Sequence, residues 1–160
     1  MAERVEERIE DRIERLMADY AECIDEGRLE EWPAFFAEKC LYRIITREGY
    51  RNKWPAGIMT CEGRGMISDR ILSLRRANIY EAQIYRHLTS CMRIKGEEQG
   101  GWRVHTNFAV IRTMRTGEMI VFVAGFYDDL VIEQDGKLLY RERSAVLDSE
   151  RIDTLLAIPV

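Results

Sequence analysis

The chain has 160 residues, 46% of them hydrophobic and 32% charged; 24 basic and 28 acidic side chains leave a net charge of −4. That length suits one domain able to bury roughly 70% of its unfolded surface, so no disulfide or metal staple is required. The charge balance excludes a strong global attraction to nucleic acid or anionic lipid, and no apolar run of about 18 residues is present to span a membrane. The stretch Met1 to Met17 is charged throughout and lacks an apolar signal core. Cys23, Cys40, Cys61 and Cys91 stand far apart, which reads as reduced thiols in a cytoplasmic protein.

Residues 4–25 are predicted helical, because Val5, Ile9, Ile13, Leu16 and Tyr20 recur at spacings of three and four on one stripe. Gly27 suits the end of that helix, since a left-handed residue closes helices at little cost. A second helix is expected over Leu29–Ala37, with Trp32, Phe35 and Phe36 on one side and Pro33 in the first turn. Leu41–Arg47 and Ile58–Glu62 read as strands, and Gly65–Ala77 as a third helix buried along Ile67, Ile71 and Leu74.

The second half reads as four long strands, Ile84–Lys95, Arg103–Arg115, Met119–Gln134 and Lys137–Asp148. Gln99-Gly100-Gly101, Thr116-Gly117-Glu118 and Asp135-Gly136 supply the turns between them. Val121–Ala124 is apolar at every position, which predicts a strand covered on both faces. A short helix around Arg151–Ala157 is expected near the end. Helices gathered before one antiparallel sheet make an α+β domain, residues 1–160, in which long strands curve around the N-terminal helices as a cone.

Several chemistries are tested by absence. Neither a G-x-x-x-x-G-K-[ST] loop nor a G-x-G-x-x-G turn is present, and no G-x-S-x-G elbow. The only histidines are His87 and His105, too few and too far from the cysteines for a Rieske-type cluster, and without the pairing of a non-haem iron triad. No catalytic, cofactor-binding or metal-binding residue is therefore assigned in this chain. His105 shares strand parity with Asn107, which leaves open a proton-abstracting site inside the cone beside a hydrogen-bonded sheet histidine. Asp128-Asp129 is expected to be a solvated strand end with the two carboxylates on opposite faces. The charges of Arg86-His87 and Arg141-Glu142-Arg143 need partners in mid-strand, either in ion pairs or at an interface with another chain, where arginine is enriched. Trp32, Arg86, His87, Arg141 and Arg143 are the interface candidates.

An ordered set of short motifs adds a second line of reasoning. Tyr20-x4-Asp25, Trp32-Pro33-x-Phe35-Phe36, Cys40-x-Tyr42, Asp69-Arg70-x3-Leu74-Arg75, Tyr80 and Tyr85-Arg86-His87 come first. Gly125-x-Tyr127-x-Asp129, Asp135-Gly136-Lys137-Leu138, Arg141-Glu142-Arg143, Leu147-Asp148 and the ending Thr154 to Pro159 follow. Together they resemble the small (β) subunits of aromatic-ring-hydroxylating dioxygenases over nearly the whole chain. Glu31-Trp32-Pro33 and the ending resemble most the components acting on single-ring aromatic carboxylates of the terephthalate, anthranilate and salicylate kind.

The resemblance implies a nuclear-transport-factor-two-like, SnoaL-like cone. It also implies a structural, non-catalytic role beside a large (α) subunit that carries a Rieske [2Fe–2S] centre and a mononuclear Fe(II), usually as an α3β3 hexamer with β–β trimer contacts. A reductase would relay the electrons, and neither nucleic acid nor membrane is an expected partner. The alternative of a different class is a stand-alone cone isomerase, cyclase or dehydratase using His105 and Asn107.

Overall fold

The computed structural model describes residues 7–77, 82–151 and 158–160. Tyr80, the expected helix around Arg151–Ala157 and the motif residues from Thr154 to Ala157 lie outside the described residues. The first helix, α1, spans Ile9–Asp25 and buries Ile13, Leu16, Met17, Tyr20, Cys23 and Ile24, the stripe that the spacing dictates. Its end is a Schellman closure: the Gly27 N–H donates to the Ile24 carbonyl and the Arg28 N–H to the Cys23 carbonyl, with Gly27 at φ +71°.

The predicted second helix is instead a 3-10 helix, Leu29–Phe35, with Leu29 and Trp32 buried. With three residues per turn, positions i and i+3 eclipse, so this short coil puts both on the core side. Phe36 already belongs to β1, Phe36–Thr46, five residues before the expected start. A five-residue helix, α2 (Arg47–Arg51), follows where none was expected; Thr46 caps it by accepting the Gly49 N–H. The remaining elements are β2 (Met59–Glu62), α3 (Arg64–Ala77), β3 (Gln83–Glu98), β4 (Gly101–Met114), β5 (Met119–Gln134) and β6 (Lys137–Leu147).

The strands form one six-stranded sheet in the order β2-β1-β6-β5-β4-β3. It is not wholly antiparallel: β1 and β6 run parallel, because the chain returns beside β1 only after three hairpins. Bulges interrupt β3 against β4, β4 against β5, and β5 against β6. Each inserted residue bends its strand and strengthens the twist, and the concave face takes α1 against β3 and β6. One apolar cluster fills the space between, from Ile13 and Tyr20 on α1 through Phe36 and Tyr42 on β1 to Val104, Phe108, Tyr127 and Tyr140 on the long strands.

Gly125 on β5 pairs with Leu147 on β6, against the Val146 backbone. A Cβ there would stand 1.8 Å from the Val146 carbonyl oxygen, which is ladder backbone and cannot yield. Gly125→Ala should therefore destabilise the fold by about 3 kcal/mol, read as a lower urea midpoint with an unchanged slope.

Candidate functional site

The inner face of the cone holds the charges that the strand pattern left unexplained. Asp129 on β5 and Arg143 on β6 are paired across the ladder, both fully buried, with Arg143 Nη1 3.4 Å from Asp129 Oδ2. At that distance the contact is an ion pair rather than a well-formed hydrogen bond. The guanidinium carbon lies 3.6 Å from the Tyr127 ring centroid, 4.2 Å from Tyr20 and 4.4 Å from Tyr140. Three aromatic faces therefore replace the water that burial removes from the cation. Burial pushes the Asp129 carboxyl up to about 7, with Arg143 opposing the rise. Burial likewise raises the Tyr127 hydroxyl to about 12 and the Tyr20 and Tyr140 hydroxyls further. These phenols stay protonated at any physiological pH.

A second buried pair closes the other end. Asp25, the last residue of α1, accepts the His87 backbone N–H at 2.9 Å and faces His87 Nδ1 at 2.5 Å. The two side chains are almost wholly buried, and His87 Nε2 meets no hydrogen-bonding group. A carboxylate that orients an imidazole is an acid–base arrangement. Here the ring is sealed inside the packing, and the pair works as a strap between α1 and β3. Sequence reasoning missed it because the partners are 62 residues apart.

The outer face carries different chemistry. His105 is half-buried and stacks on Phe126 at 4.7 Å, and Asn107 is exposed. Both point away from the cone, because Val104, Thr106 and Phe108 take the inward parity of β4. The alternative enzyme site built on His105 and Asn107 is thereby corrected: those residues do not line the interior. Beside His105, Asp128 accepts the Tyr50 hydroxyl at 2.6 Å, and Arg103 bridges Glu98 and Glu142. Asp128 and Asp129 do face opposite ways, but neither is a solvated strand end; one is tied to Tyr50 and the other is in the core.

Of the interface candidates, Trp32, His87 and Arg143 are buried inside the cone. Arg86 is exposed, and Arg141 stays near the surface, donating to the Gln99 carbonyl at 2.9 Å. The apolar run Val121–Ala124 is not covered on both faces. Val121 is 68% exposed, and with Met119, Ile84 and Leu88 it forms an uncovered apolar strip across β3, β4 and β5. Continuous apolarity was the right signal, but within this chain only one face has a cover.

Neither thiol nor metal chemistry gathers here. Burial raises Cys23 to about 11 and lifts Cys40 and Cys61 as well, so these thiols are poor nucleophiles. His87 and His105 occupy opposite faces of the sheet and cannot meet on one ion. Among the described residues, no three His, Cys, Asp or Glu side chains converge as ligands.

Two predictions follow from the Arg143 pair. Arg143→Met leaves Asp129 buried without its partner and driven further toward its neutral acid, and should cost about 3–5 kcal/mol, whereas Arg143→Met with Asp129→Leu should recover much of that loss in urea unfolding. Asp129 has a native value raised above its unfolded one, so its contribution is complete at acid pH and fades as pH rises. Relative to Asp129→Asn, the natural chain should lose stability between about pH 4 and about pH 7. Unfolding midpoints across that window check the sign.

With this geometry in place, comparison with known proteins is direct. The profile described as "Ring hydroxylating beta subunit" matches residues 19–154. The chain is 38% identical over 148 residues to the anthranilate 1,2-dioxygenase small subunit of Burkholderia cepacia, covering 92% of each. It is 41% identical over 143 residues to the terephthalate 1,2-dioxygenase terminal oxygenase component subunit beta 1 of Comamonas sp., covering 89% of this chain and 93% of that one. A solved beta subunit from Novosphingobium aromaticivorans, assigned to an aromatic-ring-hydroxylating dioxygenase, superposes with a TM-score of 0.86 at 35% identity, covering 95% of this chain and 97% of that chain. A structure from the same organism assigned as a scytalone dehydratase reaches 0.70 at 19% identity, covering 94% and 91%, a likeness of fold alone. The ordered motifs, the six-stranded cone and these relatives agree: the chain belongs to the beta subunits of the ring-hydroxylating dioxygenases.

Proposed function

We propose that this chain is the structural beta subunit of an oxygenase that hydroxylates or dihydroxylates an aromatic ring in aromatic catabolism, and that it performs no chemistry itself. The substrate class we favour is a single-ring aromatic carboxylate, by likeness to the anthranilate and terephthalate enzymes' subunits. The large subunit would hold the Rieske [2Fe–2S] centre and the mononuclear Fe(II), with electrons from a reductase and an α3β3 assembly in the cytoplasm. Among the described residues, no helix is long and apolar enough to cross a membrane.

The observation that carries the assembly role is the uncovered strip on the outer sheet face. Ile84 is 58% exposed, Leu88 53%, and Met119 and Val121 68% each. The register sets Arg86 opposite Ile111, Leu88 opposite Ala109 and Ile111 opposite Val121, so these residues form one patch over three strands. A contiguous apolar patch on a folded chain marks a surface that another chain covers. Arg86 lies on the same strand face, and Arg141 stays near the surface at the β6 bulge; both remain contact candidates.

Co-expression with a large subunit of this enzyme class should give a stable complex, resolved by size-exclusion chromatography with mass determination. Val121→Asp should weaken that complex tenfold or more while leaving the chain's own urea midpoint nearly unchanged, because the side chain packs against little within the chain. A large subunit that assembles and turns over fully without this chain would overturn the reading.

A further inference from the structure

The cone interior is occupied by the chain itself. Ile158, Pro159 and Val160 are all buried, and Val160 is completely so. The Val160 carbonyl oxygen accepts two hydrogen bonds, from the Tyr20 hydroxyl at 3.1 Å and the Tyr42 hydroxyl at 2.9 Å. The Val160 N–H donates back to the Tyr42 oxygen at 3.0 Å. Tyr20 belongs to α1 and Tyr42 to β1, so the two layers of the fold converge on one backbone unit. Ile158 reaches the mouth, where it borders a cleft of about 510 Å³ together with Ile24, Leu29 and Tyr85.

We propose that the inside of this cone is a binding site for a short, branched apolar peptide segment, recognised through one carbonyl oxygen by the Tyr20 and Tyr42 hydroxyls, and that Ile158–Val160 is its resident occupant. Two O–H donors aimed at one oxygen make a receptor for a carbonyl or carboxylate. Tyr42 reads both polar groups of the same residue, donating to its C=O and accepting from its N–H, which fixes the segment's direction as well as its presence. Arg143 beneath the Tyr20 ring adds positive potential on the same side. Ile158 and Val160 join the apolar cluster, so the site selects branched side chains by packing as it selects the carbonyl by hydrogen bonds. Burial keeps both phenols protonated, as a donor pair requires.

The site is independent of the assembly role, and its test does not involve the large subunit. A chain with Ile158, Pro159 and Val160 deleted is compared with the full chain, using N-acetyl-Ile-Pro-Val as the probe. The shortened chain should melt at a lower temperature, and the tripeptide should raise its midpoint saturably while leaving the full chain unaffected. Adding Tyr42→Phe to the shortened chain should weaken tripeptide binding about tenfold. Independently of whether the shortened chain folds, Tyr42→Phe in the full chain should speed hydrogen exchange of the Val160 amide at least tenfold. An unchanged midpoint on deletion, no response to the tripeptide, equal affinity in the Tyr42→Phe background, or unchanged exchange at Val160 would each overturn the proposal.

Discussion

A guanidinium with no exposed surface sits at the centre of this protein, and the rest of the fold is arranged to make that tolerable. Removing Arg143 from water costs several kcal/mol, which a single carboxylate 3.4 Å away does not recover alone. The rings of Tyr20, Tyr127 and Tyr140 supply the remainder, one from the helix layer and two from the sheet. Helix and strands are thus tied to a common charge. Tyr20 belongs equally to the clamp that holds Val160, so the cation, the aromatic cage and the buried segment form one connected core.

The two faces of the sheet carry different exceptions to the usual pattern. Inside, embedded in the apolar cluster, stand two pairs, Asp25 with His87 and Asp129 with Arg143. Outside, where solvent would favour polar residues, Ile84, Leu88, Met119 and Val121 are bare. The four exposed apolar side chains lie on the face away from these pairs.

Much of this architecture was legible in the sequence, and the misses have identifiable physical causes. The long strands and their turns followed from β-branched runs and from Asp135-Gly136, and α1 from its apolar spacing. The 3-10 helix was not separable from an α-helix, because Leu29 and Trp32 at i and i+3 satisfy both periods. Asp129 reads as solvated because strand parity separates it from Asp128 without saying which face is buried, and its partner was not legible either. Counting back from the β5–β6 hairpin, where Gln134 faces Lys137, an unbroken ladder would set Asp129 against Glu142. The bulge at Arg141 shifts the register by one and sets it against Arg143 instead. The strap between Asp25 and His87 left no local trace, since it depends on where α1 crosses the sheet.

A fold shared with a dehydratase-like structure belongs here to a dioxygenase beta subunit. The likeness to that structure is one of backbone, and a backbone cone is neutral as to what fills it. Several of the interior polar groups here are engaged within the chain. In this protein Tyr42 spends its hydroxyl on both the C=O and N–H of Val160, Asp25 spends both carboxylate oxygens on His87, and Asp129 is held against Arg143. Each of these closures also fastens two elements that are distant in sequence. Tyr42 thereby fastens β1 to the buried Val160, Asp25 fastens α1 to β3, and Arg143 fastens β6 to β5, all behind the sheet face that carries the exposed apolar residues.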